Sequence, residues 1–282
     1  MSNLSCRASQ APRRSGKAAL LLMALCVLGP VASVRADEIK LGGTGAALAT
    51  MQLLAGAYAR VHPETRITVL RSLGSGGGIK AVLSGNIQMA VSARELTPDE
   101  IRQGAQSFEY GHTPLVFATS STNKASALTP RELADIYTGK IGQWPDGQKI
   151  RLVLRPVGDT DTDMVKSLSA EMRAAHTAAE QRKGLPFAVS DQAAADSIEK
   201  IPGALGVSTL AQILSERRAL KALRYNGAEP SVKNVANGSY PLYKRLYLVT
   251  SPHSPPAAKR FIAFVQSPAG RGILLRTGHE TP

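Results

Sequence analysis

Two glycine-rich segments have the composition expected of a site for a small anion. Residues 42–46 read Gly-Gly-Thr-Gly-Ala and residues 74–78 read Gly-Ser-Gly-Gly-Gly, so each segment places a hydroxyl group among glycines. Glycine lets the backbone approach a ligand closely, and free N–H groups at the start of a helix favour negative charge. Glycines that only form tight turns are the alternative, but two such segments together favour contact with a ligand.

Two arginines at predicted strand ends could hold an oxyanion. Ser92 and Arg94 end the third predicted strand, and Arg155 ends a strand in the second half of the chain. A guanidinium group forms a planar, two-pronged contact with an oxyanion that a lysine cannot copy. Solvated surface charge is the alternative for each arginine, although a position at a strand end beside a cleft favours a role in binding.

An acidic segment directly follows the second arginine. Asp159, Asp161 and Asp163 stand at alternate positions, but residue 170 is alanine where a calcium loop needs glutamate. Carboxylates at the start of a helix stabilise it as caps and through its dipole. Whether they also face a cleft stays open at this point, and an anion nearby would be repelled unless Arg94 or Arg155 compensates.

Other residues argue against catalysis, metal binding and nucleic-acid binding. Ser75 does not stand in a Gly-x-Ser-x-Gly nucleophile elbow, and neither glycine segment has the Gly-Lys-Ser/Thr ending of a P-loop. The five histidines lack metal-ligand spacing, and an aromatic content of 5% leaves few side chains to stack on bases. We therefore expect no catalytic residue, no cofactor, no metal and no nucleic-acid partner.

Residues 1–36 have the pattern of a cleavable secretory signal peptide. Basic residues precede an apolar run over 18–28, and Val34 and Ala36 are the small residues of a cleavage site. Of the 34 basic residues five lie here, with none of the 21 acidic ones, so the net charge falls from +13 to +8. Cys26 follows a leucine rather than a small residue, which argues against a lipoprotein. We expect periplasmic export with cleavage after Ala36.

The rest of the chain alternates short apolar runs with helical periodicity, which predicts an α/β fold of parallel sheets covered by helices. Thr129 and Glu132 form a predicted capping box at one helix start. The predicted strands cover residues 39–42, 67–70, 87–91, 115–118, 150–154 and 204–207. The predicted helices cover residues 47–61, a segment from 79, a segment from 130 to 138, 163–175 and 192–198.

Four segments of the chain together resemble one known family. They are Leu-Gly-Ser-Gly-Gly-Gly-Ile-Lys at 73–80, Asp-Ile-Tyr-Thr-Gly-Lys-Ile at 135–141 with Trp144, Ile-Pro-Gly-Ala-Leu-Gly at 201–206, and 240–247. These segments are similar to those of the phosphate ABC-transporter substrate-binding proteins. The resemblance extends from Ile39 to Gly278.

The resemblance implies the type II periplasmic binding protein fold, a PBP-like domain with two α/β lobes joined by a two-strand hinge around a ligand cleft. Lobe 1 is expected at 37–119 plus 245–282, and lobe 2 at 120–244. The implied partners are a small oxyanion, phosphate first, and an ABC permease, with the chain acting as a monomer. The residues expected to bind the ligand are Thr44, Gly45, Ser75, Gly76, Ser92, Arg94, Arg155, Asp159 and Thr160.

The chain departs from the family at two places that matter for the anion. Ala93 stands where phosphate binders have an aspartate that accepts the proton of hydrogen phosphate. The sequence Asp-Thr-Asp at 159–161 stands where they have Ser-Gly-Thr. A buried polar mismatch costs about 1 to 3 kcal/mol per group. The alternative function is therefore a ligand-sensing or protein-interaction module that keeps the fold and has lost phosphate binding.

Overall fold

The computed structural model describes residues 37–281 and contains both strands and helices throughout that range. The strands are β1 (Asp37–Gly43), β2 (Thr65–Val69), β3 (Met89–Ser92), β4 (Gln106–Ser120), β5 (Ala127–Leu128), β6 (Arg151–Leu152), β7 (Ala204–Thr209), β8 (Leu220–Ala222), β9 (Arg224–Tyr225) and β10 (Tyr243–Thr250). The helices are α1 (Gly45–Ala59), α2 (Gly74–Leu83), α3 (Pro98–Arg102), α4 (Pro130–Thr138), α5 (Thr160–Ser167), α6 (Ala170–Glu180), α7 (Asp191–Lys200), α8 (Leu210–Ser215), α9 (Val232–Ala236), α10 (Pro256–Gln266) and α11 (Pro268–Arg276).

The main sheet is mixed, with the strand order β2-β1-β3-β10-β4-β7-β6 and β8 paired with β4. β1 is parallel to β2 and to β3, so these strands end at the same edge, as the two glycine-rich turns predict. The prediction of parallel sheets is wrong at the centre, because β10 is antiparallel to both β3 and β4. Apolar runs mark buried strands but do not encode the direction in which a strand runs.

β4 is the longest strand and passes through both halves of the sheet. Its first part pairs with β10, from Gln106 to Pro114, and its second part pairs with β7 and β8, from Leu115 to Ser120. The sequence predicts only residues 115–118, since the earlier part carries polar side chains between its apolar ones. Tyr110 packs in one hydrophobic cluster with α1, α10 and α11, whereas Leu115 and Phe117 pack in another with α4 and α6.

Local capping residues set the starts of several helices. The predicted capping box of α4 is confirmed, since Thr129 accepts from the Glu132 backbone N–H and Glu132 reaches back to the Thr129 N–H. The single helix predicted over 163–175 is wrong, because Ser169 caps a second helix start and divides the segment into α5 and α6. The helix predicted from residue 79 begins earlier, at Gly74, so the glycine run forms its first turn.

Within residues 37–281, the helices are too short or too polar to cross a membrane. In the same range, no three or more His, Cys, Asp and Glu side chains are grouped so that they could hold a metal ion.

Candidate functional site

The two glycine-rich turns lie in direct contact at the carboxyl edge of the sheet. Gly43 has a φ of +141°, and a Cβ at that position would meet the Val91 carbonyl oxygen at 2.0 Å. A Cβ on Gly78 would lie 2.8 Å from the Cα of Gly43. Only glycine fits at both positions, because a side chain would separate α2 from the β1–α1 turn.

Both helices that follow these turns begin without a side-chain cap. Thr44 precedes α1 and Leu73 precedes α2, and neither side chain accepts a hydrogen bond from its helix. Neither helix has an acidic residue in its first turn. The N–H groups at these helix starts therefore favour an acceptor with negative charge.

A cavity of about 570 Å³ lies between the start of α2 and the start of α5. Five of the predicted ligand residues line it, namely Ser75, Gly76, Arg94, Asp159 and Thr160. Four predicted ligand residues do not line it, namely Thr44, Gly45, Ser92 and Arg155. The acidic residue Asp163 also lines the cavity, so its wall at α5 carries carboxylates opposite the uncapped start of α2.

The serines hold the turns that carry the site. Ser75 is buried, and its Oγ accepts a hydrogen bond from the Ala93 backbone N–H at 3.0 Å. Ser92 is fully buried, with its Oγ donating to the Arg94 carbonyl at 2.7 Å and accepting from the Arg94 N–H at 3.1 Å. Ser75 therefore joins α2 to the turn after β3, and Ser92 shapes that turn.

Arg94 reaches the cavity with its charge already paired. Its Nη1 and Nη2 donate to the two carboxylate oxygens of Glu100 at 2.8 and 2.7 Å. These hydrogen bonds lower the pKa of Glu100 to about 2. Glu100 also completes the capping box of α3 with Thr97. An anion at Arg94 would therefore share the guanidinium with a carboxylate that the protein holds in place.

Arg155 is buried and is bound on two sides by the protein. Its Nη1 donates to the Ala188 carbonyl at 3.0 Å, and its Nη2 donates to Asp159 Oδ2 at 2.6 Å. The other oxygen of Asp159 caps α5 by accepting from the Asp161 N–H at 2.9 Å. Asp159 thus has both of the roles weighed from the sequence, because it caps a helix and also lines the cavity.

A buried group of charges extends from Arg155 to the strand β10. Lys244 is only 2% exposed and forms an ion pair with Asp161, which is equally buried. Asp191, at the first position of α7, has one oxygen 3.9 Å from Arg155 Nη2 and the other 4.0 Å from Lys244 Nζ. We call these residues the buried charge cluster, and they comprise Arg155, Lys244, Asp159, Asp161 and Asp191.

Sequence reasoning missed two members of this cluster and the partner of Arg94. The sequence does carry a signal for Lys244, because it stands two residues before Leu246 on a strand and so lies on the same, buried face. Asp191 follows Ser190 at a helix start, where a serine and an aspartate are typical of ordinary helix capping, so the sequence gives no sign of its contact with the cluster. Glu100 is likewise ambiguous in the sequence, since a role in the capping box of α3 accounts for a glutamate at this position without any contact to Arg94.

Comparisons with known proteins show the family to which the chain is similar. Residues 30–269 match the family described as PBP superfamily domain. "Phosphate-binding protein PstS" of Borreliella burgdorferi is 24% identical over 248 residues, which cover 85% of this chain and 88% of that protein. The protein of the same description from Bacillus subtilis is 25% identical over 243 residues, which cover 82% of this chain and 75% of that protein.

Solved structures have the same fold. A putative phosphate ABC transporter substrate-binding protein with bound phosphate from Clostridium perfringens superposes with a TM-score of 0.74 at 22% identity, covering 87% of this chain and all of that one. An ABC-type phosphate transport receptor from Vibrio cholerae gives a TM-score of 0.61 at 23% identity, covering 86% of this chain and all of that one. The predicted α/β fold and the predicted resemblance are confirmed. Because the family match covers residues 30–269, most of its length, the chain belongs to the PBP superfamily domain family.

Proposed function

We propose that this chain is a periplasmic solute-binding protein that captures a small oxyanion, phosphate first, for an ABC permease, without covalent chemistry. One observation carries the proposal. The helices α1 and α2 both start at the same sheet edge with no side-chain cap and no acidic residue in the first turn. Backbone N–H groups and helix dipoles that converge in this way favour a bound anion.

The relatives support phosphate as the first ligand to test. The proteins from Borreliella burgdorferi and Bacillus subtilis are both described as phosphate-binding, and the Clostridium perfringens structure holds phosphate. We assign the ligand contacts to Ser75, Gly76, Arg94, Asp159 and Thr160, which line the cavity. We assign Thr44, Gly45, Ser92 and Arg155 as ligand residues from the family resemblance.

We assign two lobes to the fold, 37–119 with 245–282 and 120–244, with β4 and β10 as the hinge. Two observations support this division. The hydrophobic clusters of the two halves are distinct, and β4 contributes to both of them. Every residue of β10 pairs with the first part of β4, so the two strands lie side by side in the sheet. Closure about two such strands would bring the start of α2 against the start of α5.

The direct test is a thermal-shift and calorimetric screen of the purified protein at low salt. Phosphate, sulfate, molybdate and phosphonates would be compared with amino acids and divalent cations. A ligand at about 100 times its Kd adds about 2.7 kcal/mol of stability, which shifts Tm by several degrees. A shift with phosphate or another oxyanion is the expected result, and no shift with any oxyanion would overturn the proposal.

One observation favours a second candidate, a sensing or protein-interaction module on the same fold. Arg94 and Arg155, the two arginines predicted to hold the anion, both pair with carboxylates of the chain itself. A chain whose cations are satisfied internally could retain the fold without the ligand. The same screen separates the two candidates, because the module predicts no stabilisation by any oxyanion.

Export and assembly are proposed from the sequence. Residues 1–36 lie outside the described residues, and we assign them to a signal peptide cleaved after Ala36. N-terminal sequencing of the protein recovered from the periplasm should begin at Asp37. Size-exclusion chromatography with light scattering should give the mass of a monomer.

A further inference from the structure

Asp191 places a carboxylate against the start of α1. A Cβ on Gly45, the first residue of that helix, would lie 2.6 Å from Asp191 Oδ2. The neighbouring residue Gln192 fixes this approach, since its Nε2 donates to the Gly45 carbonyl at 3.0 Å. The negative group therefore lies at the uncapped, electropositive end of α1.

The same carboxylate lies between two buried cations without being tightly bound by either. Its oxygens are 3.9 Å from Arg155 Nη2 and 4.0 Å from Lys244 Nζ, beyond hydrogen-bond distance. Within residues 37–281, Arg155 Nε has no hydrogen-bond partner, although the side chain is only 6% exposed. The cluster thus contains a buried donor that an additional acceptor atom could satisfy.

The charges of the cluster do not balance. Its three carboxylates face two cations, so one negative charge is in surplus when all are ionised. Burial raises the pKa of Asp161, and the charges of Asp191 and Asp159 raise it further against the opposing effect of Lys244. An oxyanion that enters this cluster must displace a carboxylate or accept its repulsion.

Asp191 lies among groups of the kind that bind oxyanions. A helix N-terminus, a guanidinium group and an ammonium group all lie near it, and such groups hold anions in proteins, although neither cation is within hydrogen-bond distance here. Two predicted ligand residues, Gly45 and Arg155, surround Asp191 instead of lining the open cavity. Asp159 links the two regions, because it lines the cavity and accepts from Arg155.

We propose that Asp191 is an internal anion that occupies the oxyanion position and competes with the ligand, so that its charge lowers the binding affinity. This inference rests on the proposed oxyanion-binding function. When a ligand binds, its oxygens take the place of the Asp191 carboxylate beside Arg155 and Lys244. A role confined to stabilising the start of α7 would instead leave ligand affinity unchanged.

The test measures phosphate and sulfate affinity by isothermal titration calorimetry in the purified protein, in Asp191→Asn and in a control. Asparagine keeps the size of the side chain and removes the charge. Both anions should bind Asp191→Asn at least about tenfold more tightly than wild type. The matched control is Glu38→Gln, which removes one exposed carboxylate on β1 and should leave both affinities unchanged.

Each other outcome overturns the inference in a recognisable way. If wild type binds phosphate but Asp191→Asn binds it no more tightly, Asp191 does not compete and the proposed function stands. If neither protein binds any oxyanion, the proposed function fails and the inference fails with it. Should Asp191→Asn not fold, Asp191→Ser keeps a residue suited to a helix start, and the same gain in affinity is required of it.

Discussion

Gly78 packs so closely on Gly43 that a Cβ on Gly78 would lie 2.8 Å from the Gly43 Cα. Backbone rather than a flexible side chain occupies the space, so α2 would have to move away from the β1–α1 turn. We therefore expect Gly78→Ala to lower the free energy of unfolding by about 1 to 3 kcal/mol, the usual cost of overpacking. Urea denaturation of the purified protein measures this change, and calorimetry should show weaker anion binding by the same variant.

Gly56 provides the matched control for that substitution. It lies inside α1, as the fourth residue from its C-terminal end, and a Cβ there would meet nothing within 4 Å. Gly56→Ala should therefore raise the free energy of unfolding by about 0.5 to 1 kcal/mol, through helix propensity alone. Destabilisation of similar size by both variants would contradict the close contact between the two glycine turns.

The ion pair of Arg94 with Glu100 predicts a specific pH dependence of stability. Hydrogen bonds from Arg94 lower the pKa of Glu100 from 4.5 to about 2 in the folded protein. The carboxylate therefore stabilises the fold fully above about pH 4.5, and this contribution is lost as the pH falls towards 2. Wild type should lose more unfolding free energy than Glu100→Gln between about pH 5 and pH 2.

Chemical denaturation at several pH values gives both curves. Glu171→Gln is the control, because Glu171 is 60% exposed and its distance of 3.6 Å to the Arg131 guanidinium is longer than a hydrogen bond. It should follow the wild-type curve. An identical slope for wild type and Glu100→Gln would show that the pair with Arg94 does not persist in solution.

The parts of the fold set by local patterns could be predicted from the sequence. The apolar run at Ile39 and Leu41, the helical repeat through Met51 and Leu54, and the capping box at Thr129 each depend on a few neighbouring residues. The sequence also predicts that the two glycine turns lie together, since they follow strands that are parallel neighbours and end at one edge of the sheet.

The remaining features depend on contacts between distant segments. The antiparallel placement of β10 between β3 and β4 joins residues far apart in the chain, and no local pattern records it. The pairing of Lys244 with Asp161 and Asp191 likewise brings one strand and two helix starts together. A sequence pattern could place Lys244 on a buried face, but it could not name the carboxylates it meets.

Ser75 should contribute to both ligand binding and stability. Its Oγ accepts from the Ala93 N–H, and the residue lines the cavity, so we expect its hydroxyl proton to be donated to an anion there. Ser75→Ala should weaken phosphate binding about tenfold, the usual effect of one lost hydrogen bond to a charged group. Calorimetry measures the affinity and thermal denaturation the stability, which should fall because the Ala93 N–H loses its acceptor.

The control for Ser75 lies at the other end of the same helix. Ser84 is exposed at the C-terminus of α2, where its Oγ donates to the Ala81 carbonyl and accepts from Asn86 Nδ2. Ser84→Ala should leave phosphate affinity at the wild-type value. A loss of affinity in both variants would mean that α2 as a whole, rather than the Ser75 hydroxyl, determines binding.

The buried charge cluster should behave as one unit when Lys244 is removed. Lys244 and Asp161 are each 2% exposed, so Lys244→Met leaves a buried carboxylate without its cation. The expected loss is about 3 to 5 kcal/mol of unfolding free energy, measured by urea denaturation. Burial lowers the pKa of Lys244, but the charges of Asp161 and Asp191 outweigh that effect and raise it, so the lysine is charged at neutral pH.

The double variant Lys244→Met with Asp161→Asn tests whether the two charges act together. It should recover much of the loss, because the unpaired buried carboxylate is then absent. If the double variant instead loses as much as the single variants Lys244→Met and Asp161→Asn together, the two charges do not interact and the cluster does not behave as one unit.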